Sequence, residues 1–174
     1  MENSNYLVVY LGILLALLSV AAFFVIKQVL VTRRTETTLS DLQTKLSQGK
    51  GSALEYYELG SLLLDKKLYA QSLLYLKKAL KELPEEESEN AVLVHNALGY
   101  AYFAQDQYDL AIRQYNEALK IRPDYVTALN NLAHTYERKQ LMPQALETYE
   151  KSLATEPKNE TAKRRADSLR KRLA

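Results

Sequence analysis

The sequence contains no cysteine and no tryptophan, and it is poor in the two residues that reverse or break a chain. Five glycines and four prolines occur among 174 residues, which is about half of average usage or less. The absence of cysteine excludes a disulfide framework, a thiolate metal site, an iron–sulfur cluster and a cysteine nucleophile. Folds rich in strands and tight turns require many chain reversals, so the composition indicates an all-α protein.

The net charge is also small. It is +2, from 23 basic and 21 acidic residues, which argues against a nucleic-acid binder. The charges are unevenly distributed: the balance is +2 over residues 1–50, −5 over residues 51–157 and +5 over residues 158–174. The near-neutral total therefore combines three segments of different character.

An uncharged apolar run occupies residues 3–26. As a helix, these 24 residues would extend about 36 Å, which exceeds the ~30 Å hydrocarbon core of a bilayer. Tyr6 and Tyr10 stand near one end of the run, and Lys27 begins a basic flank at the other, as interfacial anchors do. The run predicts a transmembrane anchor over residues 1–34.

The rival interpretation of this run is a cleaved signal peptide, with Ser19-Val20-Ala21 as its processing site. A signal peptide begins with basic residues and has a shorter apolar core of roughly 7–15 residues. Here the only charged residue before the run is Glu2, which is acidic. Because all the basic residues follow the run, the positive-inside rule predicts an N-terminus that is outside or lumenal, and a cytoplasmic or stromal remainder. Gly12 and Ala16 form a small-xxx-small pair suited to a helix dimer, and the oligomeric state stays open.

Residues 35–52 form a polar linker between this anchor and the rest of the chain. Leu39, Leu42 and Leu46 recur in it at helical spacing, and Gly49-Lys50-Gly51 then breaks the pattern. The segment predicts a short helix that continues from the membrane and ends at a flexible joint.

Three segments of the remaining chain align with one another. Gly99 and Ala133 are 34 residues apart, and so are Pro123 and Pro157. The preceding unit is five residues longer because of the acidic stretch 85–89. The first helices of the three units carry corresponding residues, namely Tyr56-x-x-Leu59-Gly60, His95-x-x-Leu98-Gly99-x-x-Tyr102 and Leu129-x-x-Leu132-Ala133-x-x-Tyr136.

This 34-residue period resembles the tetratricopeptide repeat, a helix–turn–helix unit. Small residues let the two helices of a unit approach closely, tyrosines fill the space between helices, and a proline ends each second helix. The pattern predicts three repeats over residues 53–157, at 53–91, 92–125 and 126–157. The predicted fold is all-α: an N-terminal transmembrane helix, an α-solenoid of three repeats and a capping helix.

Residues 158–174 predict the capping helix, which a repeat array needs at its open end. Ala162, Ala166 and Leu169 supply a narrow apolar seam, and most of the other side chains are basic. Those basic side chains are either a solvated cap favoured near a helix C-terminus or a contact for anionic lipid or an acidic partner.

The sequence offers little to an enzyme. Its two histidines, His95 and His134, have no neighbouring ligands at metal-binding spacing. Catalytic motifs and glycine-rich phosphate loops are missing as well. The sequence predicts no enzymatic activity, no cofactor and no metal.

A stack of helix pairs forms a concave groove, and helical phase directs one set of side chains on each first helix into it. Aromatic groups there provide contact area, and asparagines suit hydrogen bonds to a client's backbone. Some tetratricopeptide-repeat proteins bind a C-terminal carboxylate with a clamp of lysine and asparagine side chains. The corresponding positions here hold tyrosine, serine and asparagine, so the lysines of that clamp are missing. The predicted protein-binding residues are Tyr57, Ser61, Asn96, Tyr100, Phe103, Asn130, His134, Arg138 and Arg164.

The order of anchor, linker, three repeats and basic cap resembles the membrane-anchored tetratricopeptide-repeat assembly proteins of photosystem I in cyanobacteria and algal plastids. The resemblance implies a thylakoid protein whose stromal or cytoplasmic repeats bind photosystem I subunits. From the residues alone, the interpretation is a membrane-tethered scaffold whose tether raises the effective concentration of membrane-associated clients. A general bacterial envelope or secretion scaffold, and a lipid-interacting adaptor that uses the basic C-terminal helix, are the alternatives.

Overall fold

The structure is a computed structural model that describes residues 2–49, 51–84 and 89–173. Within these residues the chain is helical and forms no strand, and it divides into two compact units, residues 1–44 and 45–174. The helices are α1 (Glu2–Ser47), α2 (Ala53–Asp65), α3 (Tyr69–Lys81), α4 (Ala91–Phe103), α5 (Tyr108–Ile121), α6 (Val126–Arg138), α7 (Met142–Thr155) and α8 (Glu160–Leu173).

The first helix is the candidate membrane span. α1 contains the stretch Tyr10–Ser47, which is long and apolar enough to cross a membrane, judged by length and composition. Its most apolar part has a mean hydropathy of 2.4, and none of that part is buried. An apolar stretch of helix that is not buried within the protein suits a lipid environment. This confirms that the anchor predicted from sequence is a helix of the required kind.

Three helix pairs build the second unit. α2 packs against α3, α4 against α5 and α6 against α7, while each second helix also contacts the first helix of the next pair. α4 touches both α2 and α6, so the three first helices form one layer of the stack. We call the surface of this layer that points away from α3, α5 and α7 the inner face. The predicted all-α solenoid is therefore confirmed.

The same turn closes every helix pair. In each turn a backbone N–H donates to the carbonyl five residues earlier, which is the closing bond of a Schellman motif. The residue before each donor has a left-handed backbone, with φ of 61° at Lys67, 57° at Asp106 and 62° at Gln140. The three closing bonds are Leu68 to Leu63 (2.9 Å), Gln107 to Tyr102 (3.0 Å) and Leu141 to Tyr136 (2.9 Å).

The two helices of a pair approach closely at the small residues. A Cβ added at Gly60 would lie 2.7 Å from Leu76 Cγ, and one added at Gly99 would lie 2.5 Å from Tyr115 Cε1. Ala133, at the same point of the third pair, is fully buried. Since overpacking a close contact strains the surrounding structure, this crossing point accepts only the smallest side chains.

The last helix closes the open end of the array. Its apolar seam of Ala162, Ala166 and Leu169 is buried in a cluster that includes Ala145 and Tyr149 of α7. Most of its other side chains are polar and exposed to solvent. α8 thus covers apolar surface that a fourth repeat would otherwise cover.

Most of the predicted linker is helical, because α1 runs without interruption to Ser47. Leu46 near its end is 1% exposed, and a Cβ added at Gly51 would clash with it at 2.1 Å. The side chain of Ser52 and the carboxylate of Glu55 then form a capping box that begins α2. The flexible joint predicted at residues 49–51 includes Lys50, which lies outside the described residues.

Candidate protein-binding groove

The nine residues predicted to bind protein are distributed over four helices. Six of them are half-buried, and Tyr100, Arg138 and Arg164 are exposed. α2 carries Tyr57 and Ser61, α4 carries Asn96, Tyr100 and Phe103, α6 carries Asn130, His134 and Arg138, and α8 carries Arg164.

Three of these residues meet in one cluster between α4 and α6. The Phe103 ring lies 4.9 Å from the His134 ring and 5.7 Å from the Tyr108 ring, measured between centroids. The Arg138 guanidinium lies over the rings of Phe103 (5.9 Å) and Tyr108 (5.5 Å). It also lies 3.5 Å from a carboxylate oxygen of Asp106. The rings hold the cation in place while it stays partly open to solvent.

The environment of His134 favours its neutral form. Burial lowers the pKa of His134, and the neighbouring Arg165 and Arg138 cations lower it further against the opposing effect of Glu137. A neutral imidazole offers one N–H donor and one acceptor nitrogen. Beside Arg138, this part of the inner face is therefore suited to polar or acidic groups of a bound protein.

Two asparagines form an amide pair across the same helices. Asn131 Nδ2 donates to Asn96 Oδ1 at 3.1 Å. This bond uses one side-chain amide hydrogen of Asn131. The side-chain oxygen of Asn131 and the side-chain amide hydrogens of Asn96 therefore keep their bonding capacity. A peptide unit has the complementary C=O and N–H groups, and the pair is thus equipped to bind an extended backbone.

Asn130 has a structural role. Its Oδ1 accepts a hydrogen bond of 2.7 Å from Ser152 Oγ, and the Ser152 side chain is fully buried in α7. Removal of Asn130 would deprive a buried hydroxyl of its partner, which costs about 1–3 kcal/mol. The side chain joins the two helices of the third pair.

At the cap, the contact with α6 comes from Arg165 and not from Arg164. Arg165 Nη1 lies 3.5 Å from Glu137 Oε2, and Tyr149 Oη donates to Glu137 Oε1 at 2.7 Å. Burial, followed by this hydrogen bond, raises the pKa of Tyr149. The Glu137 carboxylate thus connects α6, α7 and α8, while Arg164 projects into solvent.

Sequence reasoning missed Tyr108 and Asn131 as parts of this surface. Tyr108 begins α5, at the repeat position that Tyr69 and Met142 also occupy, whereas helical phase was applied only to the first helix of each pair. Asn131 stands 35 residues after Asn96, one more than the repeat period, so an alignment of columns selects Asn130 instead. Only the direction of the side chains distinguishes the two neighbours.

Models of the tetratricopeptide repeat match residues 56–84, 99–140 and 128–163 of this chain. Among solved structures, MamA superposes with a TM-score of 0.72 at 19% identity, over 80% of this chain and 78% of that one. The first repeat domain of Spaghetti (RPAP3), bound to the HSP90 peptide SRMEEVD, superposes with a TM-score of 0.64 at 22% identity, over 70% and 93%. These similarities show the fold, and the second shows that a domain with this fold binds a peptide.

Two relatives share sequence across nearly the whole chain. It is 40% identical over 164 residues to PYG7, a chloroplastic tetratricopeptide repeat domain-containing protein of Arabidopsis thaliana, covering 94% of this chain and 54% of that protein. The chain thus spans about half of the length of PYG7. It is 36% identical over 162 residues to the ycf37 protein of Cyanophora paradoxa, covering 93% and 91%. The chain belongs to the family of tetratricopeptide-repeat proteins that contains ycf37 and PYG7.

Proposed function

We propose that this protein is a membrane-tethered scaffold, and not an enzyme, that binds photosystem I subunits on its inner face while that complex assembles. In this proposal α1 crosses the thylakoid membrane and the repeats lie on the stromal or cytoplasmic side. The relationship to chloroplastic PYG7 supports the photosynthetic setting. The apolar composition of α1 supports the tether.

The observation that carries the proposal is a set of binding groups between α4 and α6 that the fold leaves open to solvent. Tyr100 is 44% exposed, although tyrosine is an effective contact residue at protein interfaces. The amide pair of Asn96 and Asn131 and the ring-supported Arg138 cation occupy the same two helices. Together they provide contact area, backbone hydrogen bonds and a charge.

A tether gives such a surface an advantage with membrane clients. Confining both partners to one membrane raises their effective concentration without any new contact. A groove of modest intrinsic affinity can then hold subunits long enough for assembly. This explains why an apolar anchor and a repeat array would occur in one short chain.

The test is co-purification of the full chain from native thylakoid membranes, comparing wild type with Tyr100→Ala/Asn131→Ala. We expect wild type to recover photosystem I subunits and the variant to recover at least several-fold less. Asn130 is left intact because it holds Ser152. The variant should keep the circular dichroism spectrum of the wild type.

A matched control changes two exposed apolar residues on α5, Leu110→Ala and Ile121→Ala, which are 41% and 38% exposed. This control should recover clients as wild type does. Recovery of secretion or envelope proteins in place of photosystem I subunits would favour the general envelope scaffold. Recovery that depends on the basic residues of α8 and on anionic lipid, and not on Tyr100, would favour the lipid adaptor.

A further inference from the structure

An apolar hollow opens between α2 and α4 at the first-repeat end of the array. It has a volume of about 110 Å³ and is lined by Ala53, Leu54, Tyr57, Leu83, Leu93 and Val94, among others. An apolar cavity of about 150 Å³ can bind benzene. The hollow therefore accommodates one side chain of about leucine size and no second one.

Two of the leucines at this hollow are exposed to solvent. Leu54 is 71% exposed and Leu93 is 38% exposed, whereas Leu59 and Leu63 of the same first repeat are completely buried. Leaving two leucines on adjacent helices in water forgoes the stabilisation that burial would provide. An apolar group from another molecule that covers these leucines would recover that stabilisation.

Two glutamates stand near residues that line the hollow. Glu58 follows Leu54 by one helical turn on α2, and Glu82 lines an adjacent recess together with Ala53 and Leu54. Both glutamates are exposed. These carboxylates place negative charge beside the hollow, in contrast to the Arg138 end of the inner face.

We propose that the hollow anchors one large apolar side chain of an extended client segment that carries a lysine or arginine within three residues of that anchor. This rests on the proposed function, since it names the chemistry of the client segment. The apolar side chain contacts Leu54 and Leu93, and the neighbouring cation pairs with Glu58 or Glu82. The complementary charge fixes which apolar residue of a client enters.

The geometry also relates the hollow to the amide pair of Asn96 and Asn131. Packed helices lie about 8–10 Å apart, and an extended chain advances about 3.3 Å per residue. A segment crossing from the α2–α4 hollow toward α6 thus moves about three residues per helix. It can place its anchor in the hollow and a peptide group on Asn96 and Asn131 at the same time.

The experiment selects phage-displayed random dodecapeptides on the full chain in phosphatidylcholine nanodiscs, which avoid detergent that would fill the hollow. Enriched peptides are then measured by fluorescence anisotropy. We expect enriched sequences to share Leu, Ile, Met or Phe with a basic residue within three positions. Leu54→Ala/Leu93→Ala should weaken the best peptide tenfold or more, because burial of a leucine-sized group is lost.

Matched variants separate the hollow from general hydrophobicity. Leu74→Ala/Leu110→Ala removes two leucines that are 54% and 41% exposed on α3 and α5, and should leave affinity unchanged. Glu58→Lys/Glu82→Lys should weaken basic peptides several-fold and strengthen peptides whose basic residue is replaced by glutamate. Leu54→Gln alone provides a second test at the more exposed position, where folding is least affected.

The proposal is overturned if no consensus is enriched, if enriched peptides lack the basic residue, or if Leu54→Ala/Leu93→Ala binds as wild type does. It is also overturned if that variant converts a dimer to a monomer in sedimentation, since a second copy would then occupy the hollow. Photosystem I subunits that are lost from Tyr100→Ala/Asn131→Ala but retained by Leu54→Ala/Leu93→Ala would leave the proposed function intact while removing the anchor site.

Discussion

At the scale of single residues, three non-glycine residues adopt a left-handed backbone at the same point of each helix pair. Lys67, Asp106 and Gln140 all have φ near 60°, a conformation that costs an L-residue roughly 1–2 kcal/mol. The Schellman turn requires it, because only this geometry returns the next N–H to the preceding helical turn. The repeats thus tolerate a local strain that fixes the direction of each second helix.

We predict that Lys67→Gly stabilises the repeats by about 0.5–1 kcal/mol, because glycine adopts this backbone without steric cost. The matched control is Lys66→Gly, the same substitution one residue earlier, where φ is −81°. Glycine has no advantage at that position and loses more chain entropy on folding. Urea unfolding of the full chain in mild detergent, followed at 222 nm, measures both. An equal effect of the two substitutions would contradict the strain argument.

Two buried tyrosines set a limit on stability at high pH. Burial raises the pKa of Tyr115 and of Tyr149 above the ordinary value. The folded state therefore prefers the neutral phenols. Their contribution to stability is complete below the unfolded pKa of about 10, and it is lost as the pH rises beyond that value.

We therefore expect the urea concentration at the unfolding midpoint to decrease as the pH is raised from about 9 to about 11. The decrease should be smaller in Tyr115→Phe, which keeps the ring beside Gly99 but cannot ionise. Urea unfolding at a series of pH values measures the difference. A Tyr115→Phe profile parallel to wild type would show that other groups cause the loss.

At the scale of elements, the last helix covers the apolar surface at the end of the array. α8 makes few apolar contacts apart from Ala162, Ala166 and Leu169, all of which are buried. Around them the helix is strongly basic, and Arg170 bonds to Glu150 of α7 at 2.8 Å. Exposed ion pairs contribute little to stability, so the three apolar residues hold the helix in place.

We predict that Leu169→Ala destabilises the repeats by about 2–5 kcal/mol, the usual cost of truncating a buried leucine. Leu169 is 1% exposed, while Leu173 in the same helix is 46% exposed, so Leu173→Ala should cost little. Thermal unfolding of both variants, with light scattering to detect association through the uncovered surface of α7, provides the comparison. Equal stabilities would mean that α8 is not a cap.

At the scale of the whole molecule, the charge distribution predicts how the chain enters a membrane. The basic residues all follow the apolar run, and the segment that precedes it has none. By the positive-inside rule, this arrangement predicts an N-terminus in the lumen or outside and repeats on the opposite side. Because the chain has no cysteine, single cysteines can be introduced without background.

We therefore expect Thr161→Cys, at an exposed position of α8, to react with a membrane-impermeant maleimide in stroma-side-out thylakoid vesicles. Asn3→Cys should react only after the vesicles are opened. Labelling is followed by the mobility shift of the full chain on a gel. The reverse pattern would place the repeats in the lumen and would rule out stromal clients.

The helical architecture of this protein follows from its amino-acid sequence. An uncharged run of 24 residues predicts a helix long enough to span a membrane, and α1 is such a helix. A 34-residue spacing of small residues and prolines specifies stacked helix pairs, since both follow from local chemistry and helical period. The tetratricopeptide repeat followed from the same columns, in which Gly60, Gly99 and Ala133 mark the helix crossings.

The packing of the helices distinguishes the groove side chains that bond within the fold from those that stay open to a partner. Asn130 accepts a hydrogen bond from the buried Ser152, while its neighbour Asn131 donates one to Asn96 on the adjacent helix α4. Arg165, and not Arg164, reaches Glu137. Adjacent residues on a helix point about 100° apart, so helical phase restricts the choice to a few side chains. Contacts between helices more than 20 residues apart in sequence then select among them.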